Sequence, residues 1–153
     1  MASVAVALGS NLGDRRAYLD AAASRLQVVL SDLRLSRVFE TDPVAIVGPQ
    51  HRFLNAAMTG VFEGTARALL DELLQIEHEH GRERPHPGAS RTLDLDLIFF
   101  GAQRVEEPGL VVPHPRFRER RFVLEPLADI AADWRDPVTG LTVRELLARL
   151  PQP

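Results

Sequence analysis

The order in which strand-like and helix-like segments follow one another is the feature that most constrains the fold of this chain. Residues 4–8 form a short apolar run that predicts a buried strand. After Asp14, which can cap a helix, Leu19, Ala23, Leu26 and Leu30 recur on one helical face. The same reasoning predicts strands at 33–39 and 53–62, a helix at about 65–80, and a strand at 91–100. The resulting order is strand–helix–strand–strand–helix–strand.

This order predicts an α+β fold. It matches the split βαβ arrangement of ferredoxin-like sandwiches, in which helices cover one face of an antiparallel sheet. A C-terminal extension is predicted to contain a strand at 110–112, a helix at 122–131, and a last helix that begins with a capping box of Thr142 and Glu145. Because no repeat or linker divides the chain, we expect a single domain over residues 1–153.

Composition excludes several classes of chemistry. The chain has no cysteine, so disulfides and cysteine-ligated metals are impossible. All 18 basic residues are arginine, and without lysine neither a P-loop nor Schiff-base catalysis is available. The net charge of −3 argues against a general nucleic-acid binder. No apolar run approaches the roughly 20 residues of a membrane span, and no leader sequence precedes the first strand, so we expect a cytoplasmic protein without a membrane partner.

Positive charge is concentrated in the middle of the chain. Residues 82–121 hold eight arginines against six acids, whereas the remainder holds ten arginines against fifteen acids. This distribution suits a confined anionic ligand better than a long phosphate backbone.

The segment 91–100 contains the pattern Leu-Asp-Leu-Asp-Leu. Side chains alternate along a strand, so Asp94 and Asp96 share one face with Ile98 while the leucines face the core. Two carboxylates this close repel unless a cation lies between them, and Mg²⁺ takes one or two carboxylates plus water and phosphate oxygens. The alternative is that both aspartates form the solvated side of an amphipathic strand.

Arginines flank this strand in the sequence. Such side chains bind phosphate oxygens in bidentate fashion. Carboxylates that hold a metal, bracketed by guanidinium groups, describe a triphosphate site. Taken alone, an arginine such as Arg116, Arg118 or Arg121 is better explained as a solvated surface charge, and it is the cluster as a whole that favours a phosphate site. The cluster consists of Arg82, Arg84 and Arg91 before the carboxylates and Arg116, Arg118, Arg120 and Arg121 after them.

Further candidates carry two interpretations each. His114 lies between two prolines and can present a donor to phosphate or serve the structure. Glu77 shares a helix face with leucines and either ends that apolar face or reaches a ligand. Phe53, Asn55 and Phe122 can sandwich a flat heterocycle and read its edge, or the rings can belong to the core.

At these residues the sequence resembles the 6-hydroxymethyl-7,8-dihydropterin pyrophosphokinase family. The matching stretches occur in family order over nearly the whole chain: Leu-Gly-Ser-Asn-Leu-Gly-Asp at 8–14, Phe-Leu-Asn at 53–55, Gly-Arg at 81–82, Arg-Thr-Leu-Asp-Leu-Asp at 91–96, Val-Pro-His at 112–114, Arg120, Phe122, and Leu-x-Pro-Leu at 124–127.

The resemblance implies a ferredoxin-like fold and an ATP-dependent pyrophosphokinase of folate biosynthesis. The expected reaction moves the β,γ-pyrophosphoryl group of ATP to the pterin hydroxymethyl oxygen and releases AMP. Asp94 and Asp96 match ligands of two Mg²⁺ ions, and Arg82, Arg91 and Asp96 match catalytic positions. The nucleotide site is implied at Glu77, Arg84, Ile98, His114 and Arg120. The pterin pocket is implied at Thr41, Asp42, Val44, Phe53, Asn55 and Phe122. We expect a monomer with these two small-molecule substrates.

Three positions depart from the family pattern. Residues 88–90 are Gly-Ala-Ser where some members carry Trp-Gly-Pro, an arginine near Gly109 is absent, and Pro115 replaces an aromatic residue. These departures concern nucleotide affinity and a substrate contact rather than the type of reaction.

Other functions compete with this interpretation. Ferredoxin-like domains also bind RNA through aromatic residues on the sheet, although the basic–aromatic pattern typical of that use is absent here. A metal-dependent hydrolase, an Asp-x-Asp glycosyltransferase and a regulatory domain without turnover are the remaining alternatives.

Overall fold

A computed structural model of the protein describes residues 1–41, 52–80 and 93–151. Within these residues the elements, in chain order, are β1 (Ala2–Ser10), α1 (Arg15–Val29), β2 (Ser31–Leu35), β3 (Phe39–Thr41), β4 (Phe53–Phe62), α2 (Ala66–Glu79), β5 (Asp94–Phe100), β6 (Val105–Glu107), β7 (Leu110–Val112), a 3₁₀ turn (Phe117–Glu119), α3 (Arg121–Ala131) and α4 (Val143–Ala148).

The main sheet has the strand order β2-β4-β1-β5, and β3 pairs with the end of β4. All of these pairings are antiparallel. Helices α1 and α2 each connect strands that are not neighbours in the sheet, which is the split βαβ connection of a ferredoxin-like fold. The predicted α+β fold class is therefore confirmed. β6 and β7 form a separate hairpin.

One face of the sheet forms the larger core, against α1 and α2. Val4, Val6 and Leu8 face these helices from β1 and are at most 2% exposed. On β5, Leu93, Leu95 and Leu97 are buried on the same side, as the alternation predicts. The helices contribute the apolar positions expected from their periodicity, namely Leu19, Ala23, Leu26, Leu69, Leu73 and Ile76.

The opposite face of the sheet is covered by the C-terminal helices. Ala5, Ala7 and Ala57 pack there with Ile98 in a second core cluster. α3 and α4 supply the other side of this cluster through Val123, Leu124, Leu127, Val143 and Leu146. α1 and α2 thus cover one face, as the split βαβ arrangement predicts. The C-terminal extension covers the other face, because its apolar helix faces need a surface to bury and the free face of the sheet provides it.

The predicted strand at 33–39 is in fact two strands, β2 and β3. Ser36 interrupts the ladder, since its hydroxyl accepts a hydrogen bond from the Ala57 N–H at 2.8 Å. The next N–H, that of Arg37, donates to the Asp129 carboxylate at 2.9 Å instead of to a strand. Side-chain groups have replaced backbone partners here, and the strand breaks.

Several local predictions are confirmed. Asp14 caps α1 by accepting from the Ala17 N–H at 3.1 Å. Thr142 and Glu145 form the reciprocal capping box of α4. β4 covers the predicted residues. Within the three described ranges, no helix is long and apolar enough to cross a membrane.

Candidate active site

Two carboxylates lie side by side on the face of the sheet that α3 and α4 only partly cover. Asp94 and Asp96 alternate with buried leucines along β5, and both are partly exposed. Asp94 pairs with Gly9 of β1, and Asp96 pairs with Ala7. Because side chains two residues apart project about 7 Å apart on one face, the two carboxylates point into the same space.

A row of residues across the sheet links this carboxylate pair to the candidate pterin pocket. Gly9 pairs with Asp94 on one side and with Asn55 on the other. Neighbouring strands are about 4.8 Å apart, so Asn55 and Asp94 lie about 10 Å from each other with Gly9 between them. A side chain at Gly9 would press on its neighbours, because a Cβ there would lie 3.2 Å from Asn55 Oδ1 and 3.6 Å from the Phe53 ring. Gly9 is itself buried, so the close approach of these two groups depends on the absence of a side chain.

The polar end of the candidate pterin pocket is formed by Asn55 and Thr41. Asn55 is 4% exposed, and its Nδ2 donates a short hydrogen bond to the Thr41 hydroxyl. Thr41 also pairs with Phe53, whose ring reaches over Gly9. These three predicted residues are therefore brought together by β3, β4 and β1.

The aromatic ring of Phe122 approaches from the C-terminal extension. It lies in the first turn of α3 and packs partly against the second core. The Arg120 guanidinium carbon lies 5.5 Å from the centroid of this ring. This cation–π contact places Arg120 beside Phe122. The resemblance assigns Arg120 to the nucleotide site and Phe122 to the pterin pocket.

Glu77 is buried and bonds the strand that carries the aspartates. Its carboxylate, on a residue that is 2% exposed, accepts the N–H of Leu95 at 2.7 Å. Leu95 stands between Asp94 and Asp96 on the outermost strand of the main sheet. Glu77 thus occupies a backbone group at a sheet edge that would otherwise lack a strand partner.

His114 has a defined orientation and a depressed pKa. Its N–H donates to the Ile98 carbonyl at 3.1 Å, and its ring Nδ1 accepts from the Arg116 N–H at 3.1 Å. The neutral ring must therefore carry its hydrogen on Nε2. Burial lowers the pKa of His114 to about 4, helped by the positive charges of Arg120 and Arg116 and opposed by Asp94. At neutral pH the ring is an uncharged donor.

The Ile98 side chain, predicted to share a face with the aspartates, is buried. It is 1% exposed within the second core cluster. Its contribution to the region around the carboxylates is the backbone carbonyl that holds His114.

The arginines after β5 point in different directions. Arg118 forms a bidentate pair with the buried Asp136, and Arg121 bonds Glu125 and the Pro151 carbonyl. Both arginines bind other groups of the protein, and Arg118, which is 24% exposed beside a buried carboxylate, is not the solvated surface charge that the alternative predicts. Five predicted site residues lie outside the described residues, namely Asp42, Val44, Arg82, Arg84 and Arg91.

Among the described residues, Asp94 and Asp96 are the candidate metal donors. Across the part of the chain that the structure describes, no group of three or more histidine, cysteine or acidic side chains is placed to hold an ion. A closed protein cage such as a structural zinc site needs more ligands than that. Two carboxylates on an open face do suit Mg²⁺, which completes its shell with water and phosphate oxygens.

Sequence reasoning indicated Asp94 and Asp96 but did not indicate Gly9, which lies between Asp94 and the candidate pterin pocket. Along β1, large side chains at 4, 6 and 8 alternate with small ones at 5, 7 and 9. The small positions all lie on the face of the site, where Ala5 and Ala7 are buried in the second core cluster and Gly9 lies between Asn55 and Asp94. That alternation of size is the signal that would have indicated which face of β1 is closely approached by other groups.

A ferredoxin-like sheet with a carboxylate pair beside an aromatic and amide pocket is the framework of an α+β enzyme that acts on a small heterocyclic substrate. A family model described as 7,8-dihydro-6-hydroxymethylpterin-pyrophosphokinase (HPPK) matches residues 5–132. The chain belongs to this family and is a pyrophosphokinase.

Curated relatives support this membership. The 2-amino-4-hydroxy-6-hydroxymethyldihydropteridine pyrophosphokinase of Bacillus subtilis is 42% identical over 127 residues, which cover 82% of this chain and 75% of that protein. The enzyme of the same name from Pseudomonas aeruginosa is 42% identical over 153 residues, which cover 97% of this chain and 91% of that protein.

A solved structure supports the fold. A Plasmodium falciparum HPPK-DHPS triple mutant superimposes with a TM-score of 0.76 at 13% identity, covering 97% of this chain and 43% of that one. At this identity the likeness concerns the fold alone, and this chain spans less than half of that protein.

Proposed function

We infer that this chain transfers the β,γ-pyrophosphoryl group of ATP to the hydroxymethyl oxygen of 6-hydroxymethyl-7,8-dihydropterin and releases AMP. Family membership supports the reaction. The single observation that carries the assignment to a site is the row Asn55–Gly9–Asp94, which sets an aromatic and amide pocket next to a carboxylate pair on one face.

In this proposal the pterin lies against Phe53 and Asn55, whose positions depend on their close approach to Gly9. Phe53 and Phe122 supply rings that can stack on a flat heterocycle. Thr41 fixes the orientation of the Asn55 amide, and an amide so held can read the hydrogen-bonding edge of the ring. Asp42 and Val44 are assigned to the same pocket from the sequence.

Asp94 and Asp96 would hold Mg²⁺, with two ions expected from the resemblance. When bound there, Mg²⁺ neutralises triphosphate oxygens and lowers the pKa of the attacking hydroxyl. The charge on Asp94 and Asp96 and their spacing on one face support this role.

The chain's own residues would position and neutralise the reacting groups. The pterin hydroxyl attacks the β-phosphorus, the bond from that phosphorus to the α,β-bridging oxygen breaks, and AMP leaves. Asp96 is proposed to accept the hydroxyl proton. His114 can donate Nε2–H to a phosphate oxygen, since its Nδ1 is occupied by the Arg116 N–H.

The arginines complete the proposed nucleotide site. Arg120 stands beside His114 and Phe122 and can bind phosphate from the side of α3. Arg82 and Arg91 are assigned from the sequence to the charge on the transferring and leaving groups. Glu77, Arg84 and Ile98 are assigned to the nucleotide site on the same basis.

The direct test is incubation with ATP, Mg²⁺ and hydroxymethyl-dihydropterin, followed by chromatography of the products. AMP and the pterin diphosphate should form together, and AMP should not form when the pterin is omitted. Phosphate release without the pterin would instead support a hydrolase. An electrophoretic shift with RNA at physiological salt would support a binding module.

Asp96→Ala should abolish turnover while the fold persists. Asp71→Ala, which removes an exposed carboxylate on α2 behind the sheet, is the matched control and should keep normal turnover. Near-normal turnover of the Asp96 variant with Mg²⁺ would contradict the assignment.

The predictions of a single domain over residues 1–153, of a monomer and of a cytoplasmic location belong to the same proposal. Sedimentation velocity of the purified protein tests the oligomeric state directly.

A further inference from the structure

We propose that Arg15 is a positioning residue for the pterin pocket, acting from the side of the sheet opposite the bound substrate. The inference rests on the proposed function, because it assigns a task to a residue outside the pocket proposed above. Arg15 is the first residue of α1, and nothing in its sequence context predicts a role in the site.

Arg15 joins the ends of two strands. Its Nη1 donates to the Arg52 carbonyl at 2.6 Å and lies 3.2 Å from the Glu40 carboxylate. Arg52 in turn donates to the Glu40 carboxylate at 3.0 Å and to the Glu40 carbonyl at 3.4 Å. The three side chains form one bonded cluster, called here the Arg15 cluster.

Two members of the Arg15 cluster, Glu40 and Arg52, are neighbours in the chain of residues assigned to the pocket. Glu40 precedes Thr41, and Arg52 precedes Phe53. Because side chains alternate along a strand, Glu40 faces the α1 side while Thr41 faces the pocket. The cluster therefore binds β3 and the start of β4, in each case one residue away from a side chain assigned to the pocket.

β3 has few other means of holding its position. It is three residues long and pairs with β4 through Phe39–Asn55, Glu40–Leu54 and Thr41–Phe53. A shift of β3 along β4 would separate Thr41 from the Asn55 amide that it orients. The ion pairs of Glu40 oppose such a shift, because they connect β3 to β4 and both strands to α1.

The Arg15 cluster is too exposed to be a major source of stability. The side chains of Arg15, Glu40 and Arg52 are 28%, 41% and 53% exposed. They line an open depression of about 420 Å³ together with Gly13. Exposed ion pairs contribute little to folding and are screened by salt. Loss of Arg15 should therefore change the geometry of the pocket more than the stability of the fold.

The experiment compares Arg15→Gln with Arg16→Gln in the full chain. The two substitutions remove the same charge from adjacent positions, but Arg16 pairs only within its helix in the described contacts, with Asp20 at 3.3 Å. We expect Arg15→Gln to raise KM for the pterin roughly five- to tenfold, a loss typical of a displaced substrate contact. KM for ATP and the melting temperature should stay close to those of the wild type, and Arg16→Gln should change none of the three.

Two further measurements separate positioning from a general structural role. Arg15→Lys keeps a donor and a charge at the site, so it should restore KM for the pterin to within about twofold of the wild type. Raising the salt concentration should weaken pterin binding by the wild type more than by Arg15→Gln, because only the wild type has the Arg15 ion pair to screen.

A failure of the proposed role of Arg15 can be distinguished from a failure of the proposed reaction. If the wild type forms no AMP in the presence of the pterin, the proposed function is wrong. If the wild type turns over but Arg15→Gln matches Arg16→Gln, only the positioning role is overturned. Parallel increases in KM for both substrates, or a melting temperature that falls with activity, would also overturn it.

Discussion

At the scale of single residues, Gly9 lies between the two polar groups that are proposed to serve one reaction. It is the member of its row that has no side chain, with Asn55 on one side and Asp94 on the other. The requirement is one of space, because an added Cβ would press on the Asn55 Oδ1 and on the Phe53 ring. A methyl group there would displace the two groups that are proposed to contact the pterin.

Gly9→Ala should therefore impair pterin binding before it impairs folding. We expect KM for the pterin to rise at least about tenfold, since small displacements of substrate contacts are costly. KM for ATP should change much less, because the nucleotide is assigned to the far side of Gly9. Steady-state kinetics with each substrate varied in turn measures both values. Equal effects on the two substrates would show that Gly9 does not separate two pockets.

The depressed pKa of His114 gives a stability change with pH. The folded pKa is about 4, whereas an unfolded histidine titrates near 6.5. Between these values the unfolded chain binds more protons, so stability falls as the pH drops from 6.5 to 4. His114→Gln removes this dependence.

We therefore expect the stability of the wild type relative to His114→Gln to fall by about 1–2 kcal/mol between pH 7 and pH 4, after allowance for the partial exposure of the ring. Urea denaturation in the presence of a chelator at several pH values measures the difference. If stability changes with pH in the same way for the wild type and for His114→Gln, the pKa of His114 is not lowered in the folded protein.

At the scale of elements, periodicity predicted what each segment is, but not how side-chain bonds interrupt it. β4 and α2 form where their apolar patterns predict them, because burying those apolar side chains in the core stabilises both elements. The break between β2 and β3 depends on the Ser36 hydroxyl, which lies in the interrupted segment and accepts the Ala57 N–H of β4, and on the Asp129 carboxylate of α3. Such long-range bonds leave no periodic signal in the segment that they disrupt.

The contact between α2 and β5 is where an element supports the site directly. Glu77 holds the Leu95 N–H at the sheet edge, between the two aspartates. Glu77→Ala would leave a buried donor without this acceptor, at a cost of about 1–3 kcal/mol. Binding of Mg²⁺-nucleotide should weaken as well, because the strand that carries the carboxylates loses its lateral support.

Urea denaturation and a nucleotide titration together test this prediction. Glu79→Ala is the control, because it removes a carboxylate from the same helix, and the partner of that carboxylate is the partly exposed Arg25. That variant should bind nucleotide normally. If Glu77→Ala retains both the stability and the affinity of the wild type, the buried bond has no supporting role.

At the scale of the whole molecule, the two faces of the sheet have different tasks. α1 and α2 build the larger core on one face, and α3 and α4 frame the site on the other. Residue type and spacing made Asp94 and Asp96 candidates for the site, and they left Asn55 open between a pocket role and a structural one. The sequence did not indicate that the C-terminal extension would cross to the site face, because helical periodicity says which side of a helix is buried and not against which surface.

A buried ion pair connects the C-terminal extension to the site. Asp136 is fully buried and accepts from the Arg118 guanidinium, the Val138 N–H and the Thr139 hydroxyl. Burial acts to raise the pKa of Asp136, but these bonds hold it below its usual range. Arg118 also lies 4.7 Å from the centroid of the buried Phe117 ring. The loop before α4 is thereby fixed to the 3₁₀ turn that leads into Arg120 and Phe122.

Asp136→Asn should destabilise the protein by about 3 kcal/mol, because it leaves the Arg118 charge without its buried partner. It should also raise KM for both substrates, since Arg120 and Phe122 follow the same turn and are assigned to different substrates. The matched control is Asp133→Asn on the same loop, where the carboxylate is 79% exposed and pairs only with Arg144 in the described contacts.

Because the pKa of Asp136 is lowered, its contribution is present at neutral pH and is lost as the pH falls through that lowered pKa. The stability difference between the wild type and Asp136→Asn should therefore narrow in acid, whereas the control should follow the wild type throughout. Urea denaturation across the pH range measures this, and steady-state kinetics measures both KM values. A variant that loses stability yet keeps both KM values would mean that the ion pair secures the C-terminal helices without orienting the residues of the site.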